Sequence, residues 1–192
     1  MNRKDLIDKF KKYEYWAHKE TSNGTLLIGN PYKDKPFWWL IHIFPKVQSI
    51  KLKDFSDSKL KIPQIYREFL ENVSNGILLF FGTLALEGIR EDFSRSFDVE
   101  EPFSLITSNI TERPKNAKDS YFFFGSYNWD GSQLYIDTSN NHVYLAKRYT
   151  LETIYEWNSF EEFLNTEIPR ICSLYDEHGE EIHPDCSSLP IG

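Results

Sequence analysis

The stretch from Phe122 to Tyr149, FFFGSYNWDGSQLYIDTSNNHVYLAKRY, constrains this chain more than any other. Three runs rich in aromatic and aliphatic residues are separated by two turn clusters, Asp130-Gly131 and Ser139-Asn140-Asn141. Gly and Asn accept the positive φ that tight hairpin turns require. In the middle run Leu134 and Ile136 fall on one face, and Gln133, Tyr135 and Asp137 on the other. In the third, Val143 and Leu145 oppose Tyr144 and Ala146. Alternation with period two marks half-buried strands. The stretch therefore predicts a three-stranded antiparallel meander. Thr153–Trp157 alternates in the same way and predicts a fourth strand.

Helices are predicted around it. Asp5–Lys19 carries Leu6, Phe10, Tyr13 and Ala17 as an apolar stripe, with its lysines interleaved with acids as on a solvated face. Val47–Phe55 predicts a helix that buries Val47, Ile50 and Phe55. Ile62–Ser74 predicts a stronger one, with Pro63 in its first turn and Ile62, Ile65, Tyr66, Phe69, Leu70 and Val73 on its apolar face. Gly76 follows, suited to a left-handed conformation. A short helix is predicted over Phe103–Asn109. Ser159-Phe160-Glu161-Glu162 is a capping-box pattern at the head of a last helix carrying Phe160, Phe163, Leu164, Ile168, Ile171 and Tyr175, with Pro169 inside it. Strands are expected at Thr25–Ile28, Phe37–Phe44 and Ile77–Phe81, with His42 as a core or edge histidine. Arg90–Glu101 has no periodicity and is expected to be a mobile loop.

Hydrophobic residues make up 40% of the 192 residues and aromatics 16%, enough for a sizeable core. No signal-peptide pattern is present, and the longest apolar run, Ile77–Leu86, is about half of what a membrane span of ~20 residues needs. Two cysteines, Cys172 and Cys186, make no disulfide framework and suggest a reducing compartment, so the cytoplasm is expected. Charge is uneven. Residues 151–192 hold ten acids and one base, a net −9, whereas the other 150 residues hold 21 bases and 19 acids, a net +2. Such an end repels nucleic acid and attracts a basic partner, or it is a solvated helix face with a polar tail.

Catalytic chemistry finds no foothold. Phosphate-binding glycine loops are missing, and Gly125-Ser126-Tyr127 lacks the second glycine of a nucleophile elbow. Cys172, His178, His183 and Cys186 are metal-ligand types, but they are spaced by six, five and three residues without a Cys-x-x-Cys knuckle. Asn128, Asp130 and Ser132 begin like a calcium loop, yet Ser139 stands where the bidentate Glu is needed. No cofactor or metal is expected, no catalytic residue is assigned, and the chain reads as a binding protein. Tyr127, Trp129, Tyr135, Tyr144 and Trp157 cannot all share the buried face with Leu134 and Ile136. They form a surface, or a second layer such as the N-terminal helix covers them.

Ile62-Pro63-Gln64-Ile65-Tyr66-Arg67-Glu68-Phe69-Leu70, then Asn75-Gly76 and an apolar strand ending Phe81-Gly82, resembles the signature of the SUKH superfamily. Phe124-Gly125-Ser126, Trp129 to Asp137, Val143-Tyr144-Leu145, and Trp157 leading into Ser159–Leu164 resemble it in the same order. The resemblance covers roughly residues 45–175. Ser74-Asn75-Gly76-Ile77 departs from it in lacking the usual second glycine. The superfamily includes fungal cell-wall assembly regulators and bacterial immunity proteins.

The resemblance implies an α+β domain with an antiparallel-rich sheet, about six strands here, flanked by helices. It divides the chain into an N-terminal extension packed on the domain (1–44), the domain (45–176) and a tail (177–192). It also implies a non-enzymatic protein that binds and neutralises a cognate toxin, commonly a nuclease, or else a regulatory scaffold. No nucleic acid or membrane contact is expected. Because a nuclease presents a basic cleft, the acidic end has the right sign. Chemistry, not the resemblance, selects Trp129, Asp130, Glu156, Trp157 and Glu162 as contact candidates.

Overall fold

The computed structural model describes residues 1–32, 35, 38–90 and 98–190. Among these, one sheet of nine strands runs in chain order, each strand antiparallel to the next. They are β1 (His18–Glu20), β2 (Leu26–Ile28), β3 (Ile41–Ile43), β4 (Ile77–Leu79), β5 (Leu84–Leu86), β6 (Tyr121–Ser126), β7 (Gln133–Asp137), β8 (His142–Ala146) and β9 (Thr153–Trp157). The helices are α1 (Arg3–Asp8), α2 (Ser49–Ser58), α3 (Gln64–Asn72) and α4 (Phe160–Ser173), with a single π turn at Thr107–Thr111. The α+β class holds, but the sheet exceeds the expected six strands. None of the described helices is long and apolar enough to cross a membrane.

Register explains the layering. Leu134 pairs with Leu145, and Ile136 with Val143 and Phe122. These residues pack into one core with Tyr66, Phe69 and Leu70 of α3 and Phe160, Phe163, Ile168 and Ile171 of α4. The same core takes Leu6, Phe10 and Tyr13 from the N-terminal segment, and β1–β3 extend the same sheet. Alternation along β6 keeps Phe122 and Phe124 in this core and turns Phe123 to the opposite face, and a bulge after Phe123 shifts the register so that Gly125 pairs with Leu134. The helices thus line one face, and a smaller cluster of Phe123, Tyr135 and Ala146 sits on the other.

Several expectations change. The helix expected over Asp5–Lys19 ends at Asp8, a 3-10 turn spans Lys11–Trp16, and His18–Glu20 pairs with Leu26–Ile28 instead. A 3-10 repeat still stacks Phe10 over Tyr13, so that part of the stripe is buried in either conformation. Ala17 belongs to the extended link into β1 and is exposed. Ile50 is 62% exposed, and Leu52 takes the core position in α2 beside Phe55. The strand expected over Phe37–Phe44 is confined to Ile41–Ile43; Phe37 lies outside the described residues. The next one stops at Leu79, because Phe80, Phe81 and Gly82 all have positive φ (46°, 57° and 97°).

Gly76, with φ +96°, serves the turn into β4, and a Cβ there would stand 2.5 Å from the Leu86 carbonyl oxygen. The helix expected over Phe103–Asn109 begins two residues later, running over 105–111 into the π turn. Of the loop expected over Arg90–Glu101, residues 91–97 lie outside the described residues. His42 is buried, with Nδ1 3.6 Å from Glu100 Oε2.

Helix α4 starts as its sequence indicates. Ser159 Oγ accepts the Glu162 N–H at 3.0 Å. The Glu162 carboxylate reaches one residue beyond the cap, accepting the Asn158 N–H at 2.8 Å. Ser159→Ala leaves an N-terminal helical donor unpaired and is expected to cost about 1 kcal/mol. Urea unfolding measures it; an unchanged midpoint would mean that water replaces the hydroxyl at no cost.

Candidate functional site

The sheet face away from the helices carries an aromatic ladder across β6, β7 and β8. Register places Phe123 opposite Tyr135 and Tyr135 opposite Tyr144, so these rings project from the same side. Tyr121 stacks on Tyr135 at 4.2 Å between ring centroids, and Tyr135 on Tyr144 at 5.2 Å. His142 continues the row beside Tyr144. Tyr135 is buried under its neighbours, while Tyr121 and Tyr144 are half-buried. Glu156 of β9 pairs with Tyr144 across the ladder, and its Oε1 lies 2.6 Å from His142 Nδ1. Desolvation, with the nearby Glu156 carboxylate, holds the Tyr144 hydroxyl above the ordinary phenol range. At the Tyr121 end, Lys118 sits over the Tyr121 ring and Arg113 over Phe123. The face is therefore aromatic at its centre, with Lys118, Arg113 and Asp137 around Tyr121 and Glu156 on the β9 side.

The selected contact residues separate. Trp129 is 48% exposed in the β6–β7 turn. Asp130 beside it is exposed and accepts the Ser132 N–H at 2.8 Å, closing the turn in which Gly131 has φ +75°. Glu156 joins the ladder. Glu162 is occupied at the head of α4, where it accepts Asn158 Nδ2 as well as the Asn158 N–H. Trp157 must be corrected as a surface residue. It pairs with Val143 on the core side of the sheet, is 3% exposed, and packs edge-on against Phe163. Tyr127 and Tyr135 are buried too, so of the five aromatics singled out only Trp129 is exposed and Tyr144 half-exposed. Tyr121 was not singled out, although it shares the alternation phase of Phe123.

The acids beyond residue 150 take separate roles. Glu152 pairs with Lys147 at 2.8 Å, and Glu167 is buried against Arg170. Asp176 accepts the backbone N–H groups of His178 and Glu180, and Glu181 accepts the Tyr175 hydroxyl at 3.0 Å. Much of the negative charge of this region is thus committed within the fold. Among the described residues, no group of three or more His, Cys, Asp or Glu side chains is arranged to hold a metal ion. Burial pushes the Cys172 thiol up to about 11, far from a reactive thiolate.

An antiparallel sheet with helices on one face and a part-open aromatic row on the other defines an α+β protein. The family model of the SMI1 / KNR4 family (SUKH-1) matches residues 56–166, from the end of α2 into α4, and the chain belongs to that family. No match was found among curated proteins or among solved structures. Membership is compatible with immunity roles and with regulatory roles, and the family is generally non-enzymatic.

Proposed function

We propose that this protein acts in the cytoplasm as an immunity protein, neutralising a cognate toxin by stoichiometric binding, and that the toxin is a nuclease with a basic active-site cleft. The observation that carries the reading is the Tyr121–Tyr135–Tyr144 ladder with Glu156 at its edge. Tyrosine rings stacked in place lose little entropy on binding, and a flanking carboxylate suits a basic partner. Trp129 and Asp130 extend the contact surface at the β6–β7 turn, and Glu162 adds charge at the head of α4. Trp157 supports the surface from beneath.

The test is direct. The product of the neighbouring reading frame is mixed with the purified protein, and complex formation and nuclease inhibition are measured. A one-to-one complex that abolishes cleavage is expected, with association slowed by added salt. Neither binding nor inhibition would remove the reading. Several unrelated partners and no adjacent toxin would replace it with a regulatory scaffold. Trp129→Ala is expected to weaken the complex about tenfold, ~1.4 kcal/mol. Glu156→Gln should slow association chiefly at low salt, as stopped-flow mixing would record.

A further inference from the structure

A second feature lies where the outer sheet face meets the chain leaving β5. A cavity of about 290 Å³ opens there, walled in part by Glu87, Ser108, Glu112, Gln133 and Arg148. Glu87 is 5% exposed. Its Oε1 accepts the Ser108 hydroxyl at 2.5 Å. Its Oε2 is buried with no hydrogen-bond partner, and so is Gln133 Oε1 on the same wall. From the core side, the Tyr66 hydroxyl donates to the Glu87 carbonyl oxygen at 2.5 Å, which fixes the backbone beneath the carboxyl.

The charges around Glu87 already have partners. Arg148 Nη2 lies 3.8 Å from Glu112 Oε2, and Arg90 Nε lies 3.1 Å from Glu101 Oε2. Among the described residues, Glu87 itself has no cation within ion-pair distance. A buried carboxylate oxygen and a buried amide oxygen without donors, on two side chains that line one cavity, are costly to the protein alone. Arg90 and Arg148 also line the cavity, but both are engaged by carboxylates, so an anion there would still meet Glu87 and Glu112, and an apolar group would leave both acceptors dry.

We propose that this cavity is a binding site for an ammonium or guanidinium group, which donates to Glu87 Oε2 and Gln133 Oε1 together and supplies the missing positive charge. A guanidinium presents several N–H donors in one plane and can serve two acceptors at once. The volume is at the small end for ligand sites and suits a short cationic chain. Burial, reinforced by the Glu112 carboxylate and opposed by the Ser108 hydroxyl, pushes the Glu87 carboxyl up to about 7. The site therefore gains its charge across neutral pH. The group could be delivered by a free small amine or by an arginine or lysine side chain of a protein partner. The inference does not depend on the toxin reading, because it is tested with free compounds.

The experiment titrates agmatine into the full-length protein at about pH 6 and about pH 8, by calorimetry and by NMR of the Gln133 side-chain amide and the Glu87 carboxyl. Binding is expected to be about tenfold tighter at the higher pH, as the ionised fraction of Glu87 rises from roughly one-tenth to nine-tenths. Glu87→Gln and Gln133→Leu should each abolish it. Should the first variant fold poorly, the second and the wild-type pH dependence still decide. Blocked arginine amide forms the second arm. If it binds as well as agmatine, a partner's side chain can be the source; if agmatine alone binds, the source is a free cation. The proposal is overturned if both bind more weakly than about 10 mM, if affinity is the same at both pH values, or if Glu87→Gln binds as well as wild type. Any of these would leave a cavity holding water.

Discussion

Glu167→Ala is expected to destabilise the protein by about 3–5 kcal/mol, the cost of leaving a buried ion pair with one partner. Glu167 is 1% exposed on α4. Both of its carboxylate oxygens take Arg170 Nε, at 3.0 and 2.9 Å, and Oε1 also takes Arg170 Nη2 and the Tyr127 hydroxyl. Arg170 Nη2 in turn donates to the Ser188 carbonyl at 2.6 Å. One carboxylate therefore ties α4 to the residue after β6 and, through Arg170, to the C-terminal segment. Truncation leaves a part-buried guanidinium without its counter-ion and a buried phenol without its acceptor. Urea unfolding at neutral pH should show the loss, with a melting temperature lower by roughly 10 °C for a chain of this length. Glu167→Gln keeps an acceptor for Tyr127 and should lose less. Equal losses in the two variants would mean that the charge accounts for the whole effect and the acceptor for Tyr127 for none of it, and no loss in Glu167→Ala would mean that water replaces the whole arrangement. Limited proteolysis gives a second readout, since freeing Arg170 from Glu167 should expose the Ser188 region to cleavage.

The sequence makes the meander legible because its strands are five or six residues long and their turns carry Gly and Asn where positive φ occurs, as at Gly131 and Asn141. β1 to β5 are three residues each, too short for alternation to register, so the sheet appears smaller in the sequence than it is. The N-terminal stripe is real as a buried set, but burial of i and i+3 positions fits a 3-10 turn as well as an α-helix. Following the alternation phase through β9 would have placed Trp157 in the core, because it is two residues from Tyr155, which faces Leu145. The ladder is legible to that degree, with Tyr121 recoverable from the same phase as Phe123. Glu167 and Glu87 are not legible. The Glu167–Arg170 pair has helical i, i+3 spacing, but its burial comes with the Tyr127 hydroxyl 40 residues away, and Glu87 meets Ser108 21 residues away, partners that no local pattern encodes.

Glu87→Gln is expected to act in the opposite direction from Glu167→Ala and to depend on pH. In the folded protein burial lifts the Glu87 carboxyl from its ordinary 4.5 to about 7, with Glu112 adding to the shift and the Ser108 hydroxyl acting against it. Between those two values the folded state holds a proton that the unfolded chain has released. Stability from this group is therefore fully present below about pH 4.5 and is lost as pH rises through about 7. The shift corresponds to about 3 kcal/mol. Gln at this position has the shape of the acid and no charge to desolvate. It should leave stability near that of the wild type at about pH 5 and raise it by about 3 kcal/mol at about pH 8. The Glu167 network behaves differently, since its carboxylate is paired with a guanidinium and Glu87 has no such partner. Urea unfolding of both proteins across this range should give curves that meet at low pH and separate above neutrality. Parallel curves would show that Glu87 titrates alike in the folded and unfolded chains, so that the cavity is wet enough to solvate the charge. A variant less stable than wild type at about pH 8 would show that the ionised carboxylate is held by partners stronger than the Ser108 hydroxyl.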